Sequence, residues 1–337
     1  MRTTIKDIAN YTGLSVTTIS LVLNKKANKI PEATRLKVQE AVKKLNYHPN
    51  QLAVGLVKKR TQTIGLIISD VSNAFFSILA KGVEDTCRQC GWNLILCNTN
   101  DEHEREMSYI QVLADRGADG ILFCMARDND RKKTQESIKL LKKMTMPFIM
   151  IDRHIDASEC SSVIADHMHG GYNAAKYLLE LGHRRIGCIT GPNNLQDSME
   201  RLNGYKKALL EWNVSYDETL IYEGRYDYES GVAAAEYLMA KKVTAIFAFN
   251  DLSAYGAYSR IKKQGYKIPE DISLIGYDDI FFSGLLDVPL TSVHQPIYEM
   301  GVAAVKQLID ELEHESMHRK VIFDTQLMIR ESTGRIL

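Results

Sequence analysis

The chain has 337 residues, 45% of them hydrophobic and 25% charged, with 42 Lys and Arg against 42 Asp and Glu. That length exceeds one ordinary core and points to two or three globular domains. No apolar run approaches the roughly 18 residues of a membrane span, and the start turns polar at Lys6 and Asp7, before a leader could form. A cytoplasmic chain without a membrane partner is expected.

The even charge conceals an asymmetry. Residues 1–60 carry 12 Lys and Arg against 3 Asp and Glu, and residues 61–337 carry 30 against 39. A basic head on an acidic body suggests a polyanion-binding module. Thr4-Ile5-Lys6-Asp7 has the spacing of a capping box and predicts a helix with Ile5, Ile8 and Ala9 on one face, ended by Gly13. Ser15 suits the cap of a second helix, with Ile19, Val22 and Leu23 inward and Val16, Thr17, Ser20 and Leu21 outward. A third helix begins at Pro31-Glu32 and carries Ala33, Leu36, Val38, Ala41, Val42 and Leu45. Two short helices across a Gly-containing turn make a helix-turn-helix. A small bundle with a solvated basic surface is the plainer alternative.

The runs Thr4–Ala9, Ser15–Asn24 and Leu45–Asn50 together resemble the head of the lactose/galactose repressor (LacI/GalR) family. The resemblance implies a homodimer bound to near-palindromic double-stranded operator DNA, with a head at 1–48. It places Thr4, Ser15, Val16, Thr17, Thr18, Ser20, Leu21 and Asn24 at the DNA, Val16, Thr17 and Leu21 against base edges. Leu21 departs from the family pattern, which often has Arg or His there. A leucine can offer only apolar contact, for instance to a thymine methyl. Residues 49–60 would be the hinge, with Asn50 at the DNA and Leu56 in the position of a minor-groove wedge.

From residue 61 onward, strand-length apolar runs (Ile64–Ser69, Leu94–Cys97, Gly120–Cys124, Phe148–Asp152, Ile186–Thr190, Ala245–Asn250, Ile272–Tyr277) alternate with amphipathic helical stretches. Such alternation means parallel sheets covered by helices, here two sheets divided near residue 160. Polar residues recur where the strands end: Asn73, Asp152-Arg153, Asn250-Asp251 and Asp278-Asp279. In open α/β sheets ligands gather beyond those ends, although any one of them is equally suited to cap a helix.

The body is similar to the periplasmic-binding-protein-like sensor of the same family, with an effector and dimerisation domain at 61–337. Its lobes are expected at 61–160 with 293–323, and at 161–292 with 324–337. Matched to ribose-type binders, the effector residues would be Asn73, Phe75, Phe76, Asp152, Arg153, Arg201, Tyr226, Asn250, Asp278 and Gln295. Aromatic faces would pack on a sugar ring while amides, carboxylates and guanidiniums bond its hydroxyls. Two Asp and two Arg balance formally, which favours a neutral sugar, with a purine, sugar acid or sugar phosphate as the alternative. The expected function is a repressor of carbohydrate-uptake or catabolic genes, relieved or reinforced by its effector. Some family members also take a phosphocarrier protein as partner.

No cofactor, metal or catalytic role is implied. Phosphate-binding glycine loops and the G-x-S-x-G elbow are absent from the sequence. His314-Glu315-Ser316-Met317-His318 spells the zincin motif, but it falls between an acidic helix end and the strand-like Val321–Leu327, and reads as a surface turn. Cys87 and Cys90 form a lone C-x-x-C within a helical pattern and read as two buried reduced thiols.

Overall fold

A computed structural model describes residues 3–23, 30–47, 60–127, 131–153, 160–314 and 318–336. Two compact units emerge, residues 1–62 and 63–337. The first holds α1 (Ile5–Thr12), α2 (Val16–Leu23) and α3 (Glu32–Lys44). The capping box at α1 is complete: the Asp7 amide donates to the Thr4 hydroxyl at 3.4 Å, and the Thr4 amide to Asp7 Oδ2 at 2.7 Å. Gly13 turns the chain at φ 68°, the left-handed conformation that glycine adopts without a Cβ clash. Ile8, Ile19, Val22, Val38 and Ala41 are the buried centre of this unit. Of the apolar residues that α3 carries, Leu36 is 52% exposed, and Ala33 faces outward too. The buried stripe of α3 is narrower than the apolar pattern because α1 and α2 cover only one side of it.

The second unit contains two six-stranded sheets. In the first, the order is β11 (Lys320–Phe323), β5 (Ser161–Ala165), β4 (Phe148–Ile151), β3 (Gly120–Phe123), β1 (Thr63–Ile68), β2 (Asn93–Asn98), all parallel. In the second it is β12 (Gln326–Met328), β10 (Thr291–His294), β9 (Ser273–Asp278), β8 (Ala245–Ala248), β6 (Ile186–Thr190), β7 (Ile221–Glu223), with only β12 antiparallel. The expected lobe boundaries shift accordingly. Because β5 pairs with β4, the first lobe runs on to residue 165, and because β10 pairs with β9, residues 293 and 294 stay in the second. The single strand-like run expected at Val321–Leu327 divides at Asp324-Thr325 and supplies an edge strand to each sheet.

Helices α4 (Ala74–Cys90), α5 (His103–Asp115), α6 (Arg131–Lys143) and α11 (Ile297–Glu313) belong to the first lobe, and α7 (His167–Glu180), α8 (Gln196–Glu211), α9 (Tyr228–Ala240) and α10 (Asp251–Lys263) to the second. Leu79 and Val83 of α4 meet Met300, Ala304 and Leu308 of α11 in the core over the first sheet. In the second lobe α7 and α8 approach through glycines. A Cβ on Gly171 would lie 2.2 Å from the Arg201 carbonyl, and one on Gly204 would lie 2.1 Å from the Met168 carbonyl. The backbone that carries Arg201 is thereby pressed against α7.

Candidate functional site

Nine of the ten expected effector residues line one cleft, together with Asp197: Asn73, Phe75, Phe76, Asp152, Arg153, Arg201, Tyr226, Asn250 and Asp278. All lie at or beyond the carboxyl ends of strands, Asp278 as the last residue of β9 and Arg201 within α8, and both sheets contribute. Gln295, the tenth, follows β10 and reaches Asp278 through its Nε2 at 2.8 Å. The cavity left between these side chains is only about 30 Å³, room for little more than a water, so a ligand enters only as the lining side chains or the lobes part.

The first lobe supplies the aromatic wall. Asn73 caps α4, its Oδ1 accepting from the Phe75 amide at 3.0 Å, and Phe75 and Phe76 meet edge to face at 5.1 Å between centroids. Arg153 lies over the Phe76 ring at 5.5 Å. Its Nη1 donates to Ser69 Oγ at 2.6 Å, Asp101 Oδ1 at 2.6 Å and the Met125 carbonyl at 3.0 Å. The second lobe is built around Arg201, which sits 3.9 Å from the Tyr277 ring centre, donates to the Phe249 carbonyl and contacts His167 Nδ1 at 3.3 Å. Tyr226 donates from its hydroxyl to Asp197 Oδ2 at 2.6 Å. Its ring passes over Gly191, where a Cβ would lie 2.1 Å from ring atom Cζ.

Three of the lining residues hold left-handed backbone: Asp152 at φ 62°, Tyr226 at φ 62° and Asp278 at φ 105°. Such conformations in non-glycine residues persist only where surrounding contacts impose them, and they concentrate at functional sites. Asn250 supplies one of those contacts. It caps α10 with its Oδ1 and donates from Nδ2 to the Tyr226 carbonyl at 3.0 Å, so its amide positions Tyr226. Buried Asp251 fixes the loop beyond β9, accepting from the Ile280 amide and the Ser283 and Ser292 hydroxyls at 2.6–2.9 Å.

The electrostatics differ from the formal balance read in the sequence, because Asp197 is a third carboxylate in the cleft and Arg153 is already paired outside it with Asp101. Burial pushes the Asp152 carboxyl up to about 7, aided by neighbouring Asp197 and opposed by Arg153 and Arg201. Burial likewise raises Asp278 well above the ordinary carboxyl range. Asp197 resists its own burial and is held below that range by Arg201, His167 and Arg153. At the cleft, the buried acceptors Asp152 Oδ1 and Asp197 Oδ1, with Gln295 Oε1 behind Asp278, have no hydrogen-bond partner. Buried acceptors normally find donors, so the cleft is prepared for a molecule that brings several.

In the head, α2 presents Val16 at 41% and Leu21 at 39% exposure, with Thr17 also exposed and Ser20 half-buried. The Ser15 hydroxyl accepts from the Thr18 amide at 3.1 Å and meets the Thr18 hydroxyl at 2.9 Å, and the Thr4 hydroxyl is engaged with Asp7. Those three hydroxyls therefore define the helix starts. Asn24 and residues 49–59 of the hinge expected at 49–60, Asn50 and Leu56 among them, lie outside the described residues, as do Glu315, Ser316 and Met317 of the zincin-like run. Cys87 is buried as expected, its thiol pushed up to about 12 by burial, but Cys90 is exposed because it ends α4 on the solvent side. Among the described residues, no cluster of His, Cys, Asp and Glu could hold a metal, and no helix is long and apolar enough to cross a membrane.

Comparison with known proteins accords with both units. Residues 4–50 match the profile of bacterial regulatory proteins of the lacI family, and residues 61–331 that of periplasmic binding proteins and the sugar-binding domain of the LacI family. A curated relative from Vibrio atlanticus, the HTH-type transcriptional repressor PurR, is 40% identical over 99% of both chains. A LacI family transcriptional regulator from Enterococcus faecium, solved with bound ribose, is 31% identical with a TM-score of 0.74, covering 82% of this chain and all of that one. The Lac repressor dimer bound to operator is 25% identical with a TM-score of 0.88, covering 99% of this chain and all of that one. Helix-turn-helix head, two-sheet body and relatives agree: the chain belongs to the LacI family of DNA-binding transcriptional regulators, and is not an enzyme.

Proposed function

We propose that this regulator is a cytoplasmic, homodimeric repressor of carbohydrate-uptake or catabolic genes, whose effector is a small neutral sugar of the ribose type held in the interlobe cleft. The observation that carries the effector class is the pair of unpartnered acceptors at the cleft, on Asp152 and Asp197. A polyol brings one donor per hydroxyl and can meet both while its C–H face lies on Phe75 and Phe76. An anion meets the ionised carboxylate of Asp197 and finds Arg153 already engaged, which disfavours sugar acids and phosphates. Operator contacts come from Val16, Thr17 and Leu21 on the outer face of α2, and from Leu56 in the hinge. Dimerisation is supported by a bare apolar surface beside the second sheet, where Phe281, Phe282 and Leu285 are 75%, 58% and 63% exposed.

A second reading, a purine acting as co-repressor, is favoured by the name PurR that the curated relatives carry. The phosphocarrier partner draws no support from the relatives reported above. Calorimetric titration with D-ribose, other pentoses, hexoses, gluconate, ribose 5-phosphate, hypoxanthine and guanine separates the readings. Binding of a neutral sugar is expected; binding of only a purine would establish the second reading, and binding of only an anion would defeat both.

A further inference from the structure

The rim of the cleft carries a chain of contacts that the effector reading leaves without a role. Asp101 follows β2 and adopts φ 61°. Its Oδ1 accepts from Arg153 Nη1 at 2.6 Å and from the Arg127 amide at 2.8 Å, while its Oδ2 lies 3.5 Å from Arg127 Nε. One carboxylate thus holds an arginine that lines the cleft and another that does not. Although burial opposes it, Arg153 and Arg127 keep Asp101 below the usual carboxyl range.

Arg127 belongs to the first lobe, just beyond β3, yet its guanidinium reaches the second. Nη1 donates to the Arg225 carbonyl and lies 3.9 Å from Asp227. In return Asn194 of the second lobe donates from Nδ2 to the Arg127 carbonyl at 3.0 Å. The receiving side is firm, since Asp227 caps α9 through the Ser230 amide at 2.8 Å. Arg225 and Asp227 also flank Tyr226, whose ring lines the cleft. The crossing is therefore one residue from a cleft wall in the second lobe, and one carboxylate from a cleft wall in the first.

We propose that Arg127 is a latch across the cleft, a positioning residue through which the first lobe's Arg153 and the second lobe's Tyr226 are brought to their closed spacing. The proposal rests on the cleft being the effector site. Partly exposed ion pairs are individually weak, which suits a contact that must open and close. A ligand resting against Arg153 and Tyr226 fixes both platforms of the latch, so binding and closure favour one another.

The test compares full-length wild type, Arg127→Ala, Arg127→Lys and Asn194→Ala. Small-angle scattering without ligand is expected to show a larger radius of gyration for Arg127→Ala than for wild type, with the other two between them. Titration with D-ribose and hypoxanthine is expected to show weaker binding of whichever probe wild type takes. The effect of that probe on operator affinity, roughly 5–150-fold in ordinary couplings, should collapse to within about twofold in Arg127→Ala. A merely structural role would lower thermal stability and leave that ratio intact. Unchanged scattering in all three variants, together with an unchanged ratio, would overturn the latch. If wild type takes neither probe, the proposed effector classes have failed, and scattering alone decides the latch.

Discussion

At the scale of single residues, the cleft is defined by groups held in costly states. Asp152 combines left-handed backbone, full burial and an acceptor with no donor. Its carboxyl, raised to about 7 by burial against an ordinary 3.8, keeps a proton in the folded protein where the unfolded chain has lost it. Folding therefore takes up a proton between about pH 4 and 7, and this residue's contribution to stability is fully present below that window and lost as pH rises through it. Asp152→Asn removes the dependence. In thermal melts without ligand the variant should gain on wild type from pH 4 to pH 8, by at most about 4 kcal/mol. A constant difference across that range would show that Asp152 ionises freely. Asp197 went unnoticed in the sequence for a physical reason: an acid in the first turn of α8 is adequately explained by the helix dipole. Only the fold turns it toward Tyr226 and Arg201. Asn73 was legible as a polar residue shortly after an obvious strand, whereas Phe75 and Phe76 came only with the family resemblance, since an aromatic pair in a first helical turn reads equally well as core.

At the scale of elements, legibility followed how apolar each segment is. Strands such as Leu66–Ile68 and Phe148–Ile151 are buried without interruption and read directly. Strand β10, buried but for His294, was missed because it is Thr-Ser-Val-His, and β5 because it opens with Ser161-Ser162. Their hydroxyls have partners that no linear pattern reveals, Ser292 meeting Asp251 at 2.6 Å and Ser161 bonding Glu311. Edge strand β7 is three residues long and half-exposed. The α7–α8 contact belongs to this scale as well. Gly204→Ala drives a methyl into the Met168 carbonyl and should destabilise the second unit by about 1–3 kcal/mol, read as a lower urea midpoint. Displacement of α8 carries Arg201 with it, so effector binding should weaken as well. A variant of wild-type stability would mean that the helices can separate without cost.

Across the whole molecule, the basic head and acidic body divide the work of binding. Twelve cations lie within the first 60 residues, so affinity for any duplex should fall steeply with salt through counterion release. Leu56 adds no charge. At one fixed salt concentration Leu56→Ala should weaken operator binding by tenfold or more, roughly the 1–3 kcal/mol of one lost specific contact, and leave random duplex nearly unaffected. Equal losses on both, measured by fluorescence anisotropy, would remove Leu56 from the operator interface.

The edge strands β11 and β12 have a consequence for synthesis. Both lie beyond residue 319, so each sheet receives its last strand only after the other strands of both sheets have been synthesised. Neither half of the sensor corresponds to a continuous stretch of message. A product terminated before residue 320 would leave β5 and β10 as unpaired sheet edges, templates for wrong pairing.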